Sequence, residues 1–457
     1  MEFIHKTNQN DTIAALATPP GSGGIAIIRI SGPEALRAAS ALCRSDLEQQ
    51  SSHTVSLKTI VSAQGKLLDQ ALVLVMRAPR SFTGEETVEI HCHGGHLIAR
   101  NILEELFTGS VRPAEPGEFS FRAFLNGKID LTQAEAVQDL IGARNQEALR
   151  VAEDQLEGRL STHIQQLQKQ ATQLCALFEA WVDFPEDDIE FIPLSQALSE
   201  LTELSRQIRH LIDTFDSGKI LQQGLSICIL GAPNVGKSSL MNSLLGKDRA
   251  IVSSVAGTTR DIVEDDLLLN GLHCKIIDTA GIRETQESIE KEGVIRSKKA
   301  MANADIILAV LDASRAQDPL MFEPVVQAPP EKSIFIWNKI DIATSSLPEL
   351  SHPYSVRLSA KTGEGLDSLS QALDSITWKG KGPNKTDVVI TNLRHKNALE
   401  EAEKAILQTL EGLKNDISPE FLSMDMKEAL VALGSIIGTN ITEDILSSIF
   451  SRFCIGK

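Results

Sequence analysis

Gly231, Gly236, Lys237 and Ser238, within the run GAPNVGKSS over 231–239, are residue types suited to holding a polyphosphate. Glycines at this spacing let backbone N–H groups turn onto phosphate oxygens, the lysine ammonium reaches the β- and γ-phosphates, and the serine hydroxyl can ligate Mg²⁺. That chemistry needs a strand to deliver the loop to a sheet edge and a helix to aim its positive N-terminus at the anion. The chain supplies both, with LSICIL leading in and LMNSLL leading out. This context separates a P-loop from a chance match in a glycine-rich surface loop.

Four further motifs follow in the order a nucleotide-hydrolysing domain needs. Thr258 and Thr259 lie in GTTRD, where a hydroxyl can complete the Mg²⁺ shell, and DTAG at 278–281 follows the apolar run CKII. The latter offers a carboxylate to the metal's waters and a glycine N–H to the γ-phosphate. In FIWNKID, Asn338, Lys339 and Asp341 sit just past a strand end. The Asp341 carboxylate can accept both the N1–H and the N2–H₂ of guanine, whereas adenine offers an acceptor at N1 and leaves the carboxylate unpaired. Ser359, Ala360 and Lys361 form an SAK that buttresses the ring, so the order predicts an α/β P-loop (Ras-like) domain for GTP.

Hydrolysis needs a group that orients water, and Ile282 stands where Ras-like GTPases usually place a glutamine after DTAG. Asn234, inside the P-loop, can hold a monovalent cation beside the phosphates, and Glu290 offers a carboxylate on a helical stretch downstream. Arg260 is either an arginine finger or the partner of Asp261.

The surrounding elements must position these groups. A chain of 457 residues has room for about three domains. Residues 1–126 alternate short apolar runs (GIAIIRI, ALVLVM, TVEIHC) with helical ones (EALRAASALC, HLIARNILEEL), predicting an α+β domain. From Leu131 apolar residues recur at three and four, predicting the first part of an all-α domain over 127–218. The G domain takes 219–379, and helical patterns return over 380–457, packing on the earlier helices so that the G domain is an insertion. Two separate helical domains are the alternative.

No apolar stretch approaches the ~20 residues of a membrane span, and the N-terminus lacks a basic-then-apolar signal pattern. The expectation is a soluble, cytoplasmic protein. Its six cysteines show no framework spacing, and the net charge of −17 argues against gripping nucleic acid over most of the surface. Any RNA contact must be local or shared with a partner.

With these pieces placed, the chain resembles the MnmE (TrmE) family of tRNA-modification GTPases. The likeness spans nearly the full length: DTIAALATPPGSGGIAIIRISG, SFTGEE, PGEFSFRAFLNGKIDLTQAEAVQDLI, the G-domain motifs and the terminal FCIGK. The resemblance implies a homodimer working with MnmG, a flavoprotein that carries the FAD, in a heterotetramer or larger assembly. Together they install an aminomethyl or carboxymethylaminomethyl group at C5 of the wobble uridine of certain tRNAs. The one-carbon unit comes from a tetrahydrofolate, 5-formyl or methylene, bound by the N-terminal domain, which also dimerises.

Carried over by motif, the folate positions are Arg29, Glu89, Lys128 and Lys457, cations for a glutamate tail and a carboxylate for a pterin. The GTP-binding set comprises Asn234, Val235, Gly236, Lys237, Ser238 and Ser239, then Ser253, Ser254, Val255, Ala256, Gly257, Thr258 and Thr259. It continues with Asp278, Thr279, Ala280 and Gly281, and ends with Asn338, Lys339, Asp341, Ser359, Ala360 and Lys361. Mg²⁺ falls to Ser238 and Thr259. The resemblance assigns K⁺ to Asn234, Ser253, Val255 and Thr258, and the attacking water to Glu290. It also implies that pairing of two G domains orders the loop that carries those oxygens.

Cys454 is either a small buried residue near a helix end or a reactive group in the modification chemistry. In HCHGGH, His91, Cys92, His93 and His96 suggest a metal, yet strand spacing and the Gly94–Gly95 turn leave no second ligand cluster nearby. The acidic run DFPEDDIE lacks the glycine and ligand spacing of a calcium loop and reads as a solvated loop or docking face. Two other functions share much of this pattern. A ribosome-assembly GTPase has the same G motifs but more often a basic RNA-binding module, and a GTP-gated folate enzyme differs in using a small-molecule acceptor.

Overall fold

The computed structural model describes residues 11–183, 193–247, 264–278, 301–322, 328–344, 347–348, 352–378 and 387–457. The chain divides into two compact units: 1–141 with 154–206 and 398–457, and 142–153 with 207–397.

The first unit opens with β1 (Thr12–Leu16), β2 (Ile25–Ser31), α1 (Ala35–Cys43), β3 (Thr54–Val61), β4 (Leu67–Met76), β5 (Thr87–His93), α2 (His96–Phe107) and β6 (Val111–Pro113). The six strands form one sheet in the order β3-β4-β5-β2-β1-β6, antiparallel except where β1 meets β6. Period-2 alternation sends Ile28 and Ile30 of β2, Val73 and Val75 of β4, and Val88 and Ile90 of β5 into one core with Ala35 and Ala39 of α1 and Ile102 of α2. The same alternation turns Arg29 and its register partner Glu89 to the opposite face.

Helices follow: α3 (Glu118–Leu125), α4 (Leu131–Gly142), α5 (Gln146–Leu156), α6 (Arg159–Asp183), α7 (Leu194–Asp213) and α8 (Phe215–Gln223). The G segment then contributes β7 (Leu225–Leu230), α9 (Lys237–Lys247), β8 (Glu264–Leu269), β9 (Leu272–Asp278), β10 (Ile306–Asp312), β11 (Ser333–Asn338), β12 (Ser355–Arg357) and α10 (Leu366–Trp378). The chain closes with α11 (Leu393–Lys414), α12 (Pro419–Ile437) and α13 (Glu443–Phe450).

Helices from either side of the G segment pack on each other within the first unit. Ile164, Leu167, Ala171, Leu174 and Phe178 recur every three or four residues along α6, as do Leu422, Met426, Ala429, Leu433 and Ile436 along α12, and these buried stripes face one another. At the rim Cys175 Sγ donates to the Ser423 carbonyl at 3.9 Å and Lys427 pairs with Glu179 at 2.8 Å. The G segment is therefore inserted in the chain between helices that pack on each other, and the first unit combines those helices with the α+β N-terminal part.

The second unit holds a sheet of order β12-β11-β10-β7-β9-β8, parallel throughout except for β8 against β9. Every residue of IILAVLD in β10 is buried, as a central parallel strand requires. The order reverses about β7, whose neighbours are β9 and β10. A ligand crevice opens at such a switch point, beyond the carboxyl ends of the strands.

Candidate functional site

The loop leaving β7 is built for close backbone approach. Gly231 and Gly236 have φ of +151° and +96°. A Cβ at Gly231 would stand 2.3 Å from the Val310 carbonyl oxygen, and one at Gly236 would stand 2.3 Å from Asn338 Nδ2. Neither position can carry a side chain without displacing its neighbour. Asn234, between them, takes the left-handed conformation at φ +63° and is exposed. Lys237 opens α9, and its ammonium reaches back to the carbonyls of Gly231 and Ala232, both at 2.9 Å. The Ser238 and Ser239 residues beside it are exposed at the same helix N-terminus.

The base-reading motifs converge on this loop. Asn338, 1% exposed at the end of β11, donates from Nδ2 to the Val235 carbonyl and accepts at Oδ1 from the Ala360 N–H, each at 2.9 Å. It thus bolts the P-loop to the SAK loop. Ser243 on α9 adds a hydrogen bond to the Ala360 carbonyl, and Ser359 N–H donates to the Glu364 carbonyl at 2.9 Å. Lys339 Nζ donates at 2.6 Å to both the Asn234 carbonyl and Asp312 Oδ2. Asp341 and Lys361 are exposed around this cluster. Burial opposes charge on Asp312, but hydrogen bonds from Lys339 and Ser314 outweigh it and hold the carboxyl below the usual range.

Of the other expected GTP and metal residues, Ser253, Ser254, Val255, Ala256, Gly257, Thr258, Thr259, Thr279, Ala280, Gly281 and Glu290 lie outside the described residues. Asp278 closes β9, and its side chain lies outside them too.

A second cluster lies in the first unit. Arg29 Nε donates to Glu89 Oε1 at 2.9 Å, and Glu89 Oε2 meets His91 Nε2 at 3.2 Å. The Arg29 guanidinium also lies 5.9 Å from the Phe82 ring centroid and 5.7 Å from that of Phe119, both within cation–π reach. The C-terminal tail docks here, because Arg29 Nη1 donates to the Gly456 carbonyl at 3.4 Å and Gly117 N–H donates to that of Cys454 at 3.4 Å. Phe453 anchors the tail against Phe450, with ring centroids 5.4 Å apart. Gly456, at φ +94°, lies so close to β1 that a Cβ would stand 2.3 Å from the Leu16 carbonyl oxygen. Cys454 is exposed and Lys457 half-buried. Lys128 Nζ instead donates to the Pro79 carbonyl at 3.0 Å, on the loop that also carries Phe82.

Two family models match the chain: "GTP-binding protein TrmE N-terminus" over residues 12–128 and "MnmE helical domain" over 131–454. Proteins named tRNA modification GTPase MnmE match end to end. The one from Protochlamydia amoebophila is 53% identical, covering 100% of both chains. Those from Clostridioides difficile and Chlamydia abortus are 43% and 44% identical, covering 98% of this chain and 99% and 100% of theirs. The chain belongs to the MnmE family. A solved structure of Aquifex aeolicus Era bound to GDP.AlF4- is 29% identical over 40% of this chain and 67% of its own, with a TM-score of 0.27.

The two clusters bring together some of the expected residues, Asn338 and Lys339 with the P-loop and Arg29 with Glu89, and add others, while Lys128 turns to the Pro79 carbonyl. Asp312 has a visible signal in sequence, a carboxylate closing an otherwise apolar strand, but its partner Lys339 is distant. Phe82 and Phe119 carry no chemical signal, and only folding brings their rings to Arg29. The HCHGGH run resolves into unrelated roles. Cys92 is 2% exposed and burial pushes its thiol up to about 11. His93 binds Asp69 at 2.7 Å, and against the opposing effect of burial its hydrogen bonds lower the Asp69 pKa. Among the described residues, no three His, Cys, Asp or Glu side chains gather as a metal site.

Proposed function

We propose that this chain, a tRNA-modification GTPase by family, acts as a cytoplasmic homodimer with an MnmG-like flavoprotein to alkylate C5 of wobble uridines, with the domains bounded near 126, 218 and 379. The observation that carries the GTP half is the convergence of Asn338, Lys339 and the P-loop at one strand-order reversal. Guanine selection then rests on Asp341, and the loop backbone with Lys237 holds the phosphates.

The residues suit the ions the family reading calls for. Ser238, exposed at the α9 N-terminus, and Thr259 would hold Mg²⁺. Asn234, held left-handed with its side chain outward, would bind K⁺ together with Ser253, Val255 and Thr258. That cation would supply positive charge between the β- and γ-phosphates, a kind of stabilisation worth ~10³ or more in rate. Glu290 orients water in the role that Ile282 cannot perform.

The N-terminal cluster fits a folate. Arg29, Lys128 and Lys457 offer cations to carboxylates, while Glu89 offers an acceptor to the pterin amines. Arg29 and Glu89 are already paired, so a ligand entering here exchanges one charged hydrogen bond for another. The tetrahydrofolate supplies the one-carbon unit when bound, and the Cys454 thiol stands exposed on the docked tail. Mass spectrometry of tRNA nucleosides from cells with and without the protein tests the assignment. Loss of the C5-aminomethyl-type wobble uridines is expected, with other modifications intact. Unchanged wobble nucleosides would overturn it.

A further inference from the structure

The geometry points to Asp312 as the residue that positions Lys339, and through it the P-loop at Asn234, for guanine-nucleotide binding. The inference rests on the guanine reading of Asn338, Lys339 and Asp341. Asp312 ends β10, directly in register with Asn338 at the end of β11. It is 4% exposed, and both carboxylate oxygens are committed. Oδ1 accepts from the Ser314 N–H at 2.9 Å and the Ser314 hydroxyl at 2.6 Å, while Oδ2 accepts from Lys339 at 2.6 Å. A carboxylate fixed from two sides on a central strand is a rigid post.

What it fixes is conformationally unfavourable. Lys339 and Asn234 are non-glycine residues in the left-handed region, at φ +64° and +63°. Asparagine tolerates this conformation, but lysine is seldom found there. The two are joined by the Lys339 ammonium on the Asn234 carbonyl at 2.6 Å. A lysine side chain has abundant rotamer freedom, and that hydrogen bond alone, at a half-exposed site, does not hold it. The buried anion does, since an oppositely charged acceptor shielded from water adds Coulombic attraction that the neutral Asn234 carbonyl cannot supply.

The consequence concerns distance. Asn234 belongs to the phosphate cradle and Lys339 to the base reader, so the relay from Ser314 to Asp312 to Lys339 to Asn234 sets the span that one nucleotide must bridge. Asp312 contacts Lys339 directly. It acts through Lys339.

Equilibrium binding of fluorescent GDP to the full chain tests this in a double-mutant cycle. Asp312→Ala is expected to weaken GDP binding tenfold or more in the wild-type background and to have no further effect when Lys339→Ala is already present. Ser314→Ala, which spares the carboxylate, is expected to give a smaller loss with the same dependence on Lys339, and it preserves the test if Asp312→Ala folds poorly. An equal loss in both backgrounds, or no loss in either, would overturn the inference. A wild-type chain that holds ADP as tightly as GDP would overturn the guanine reading beneath it.

Discussion

Replacing Gly236 with alanine should unseat the bolt between the P-loop and the SAK loop. The new Cβ would stand 2.3 Å from Asn338 Nδ2, well inside any van der Waals contact. Asn338 cannot retreat freely, because its amide is held at both ends by hydrogen bonds of 2.9 Å and is 1% exposed. Moving it leaves Val235 O, and then Ala360 N–H, without a partner, at roughly 1–3 kcal/mol for a buried unsatisfied group. The backbone at φ +96° adds its own penalty, about 1–2 kcal/mol for a side chain forced left-handed. The total is about 2–5 kcal/mol, much of the ~5–15 kcal/mol that stabilises a typical domain. Gly271→Ala isolates the backbone part, since Gly271 sits at φ +78° with nothing within 4 Å of its Cβ position. Urea unfolding of both variants, followed by tryptophan fluorescence because Trp337 lies in this core, should show Gly236→Ala losing clearly more than Gly271→Ala. GDP affinity should fall only in Gly236→Ala. Equal destabilisation, or unchanged GDP binding by Gly236→Ala, would refute the account of the bolt.

Three other outcomes are expected. GTP hydrolysis should run at least tenfold faster in K⁺ than in Na⁺ at equal ionic strength, because Ile282 cannot orient water and Asn234 is the proposed cation ligand; equal rates would remove the cation from the mechanism. Cys454→Ser should leave GTP hydrolysis within about twofold of wild type and abolish wobble modification, since the thiol stands at the tail site in one unit and the nucleotide site belongs to the other; intact modification would return Cys454 to a structural role. The lowered carboxyl pKa of Asp312 in the fold means its ionisation stabilises the protein above the unfolded aspartate value of about 3.9, and that contribution disappears as pH falls through the lower folded value. Melting curves of wild type and Asp312→Asn should therefore differ at pH 7 and converge on acidification, and a gap independent of pH would contradict the assignment.

Much of the nucleotide site was legible because its parts are local. A glycine that must adopt positive φ, a lysine one residue later and a strand of continuous apolar residues each state their geometry within a few positions. The same holds for the alternation in GIAIIRI and TVEIHC, which places Arg29 and Glu89 on one face before any pairing is known. Sequence thus determined the element types, the order of the G motifs and the residue types at the Arg29–Glu89 cluster.

The tertiary structure decided which distant residues meet. Asp312 and Lys339 are 27 positions apart and become neighbours because β10 and β11 pair in parallel register. Arg29 and Gly456 are separated by 427 residues, and no periodicity could have joined them. Their contact follows from the aromatic anchoring of Phe453 on Phe450 and from the absence of a Cβ at Gly456. The pairing of α6 with α12 across the inserted domain belongs to the same class. Local pattern fixes which face of an element is apolar, but which face it meets is settled by sheet order, register and the burial gained when the whole chain closes.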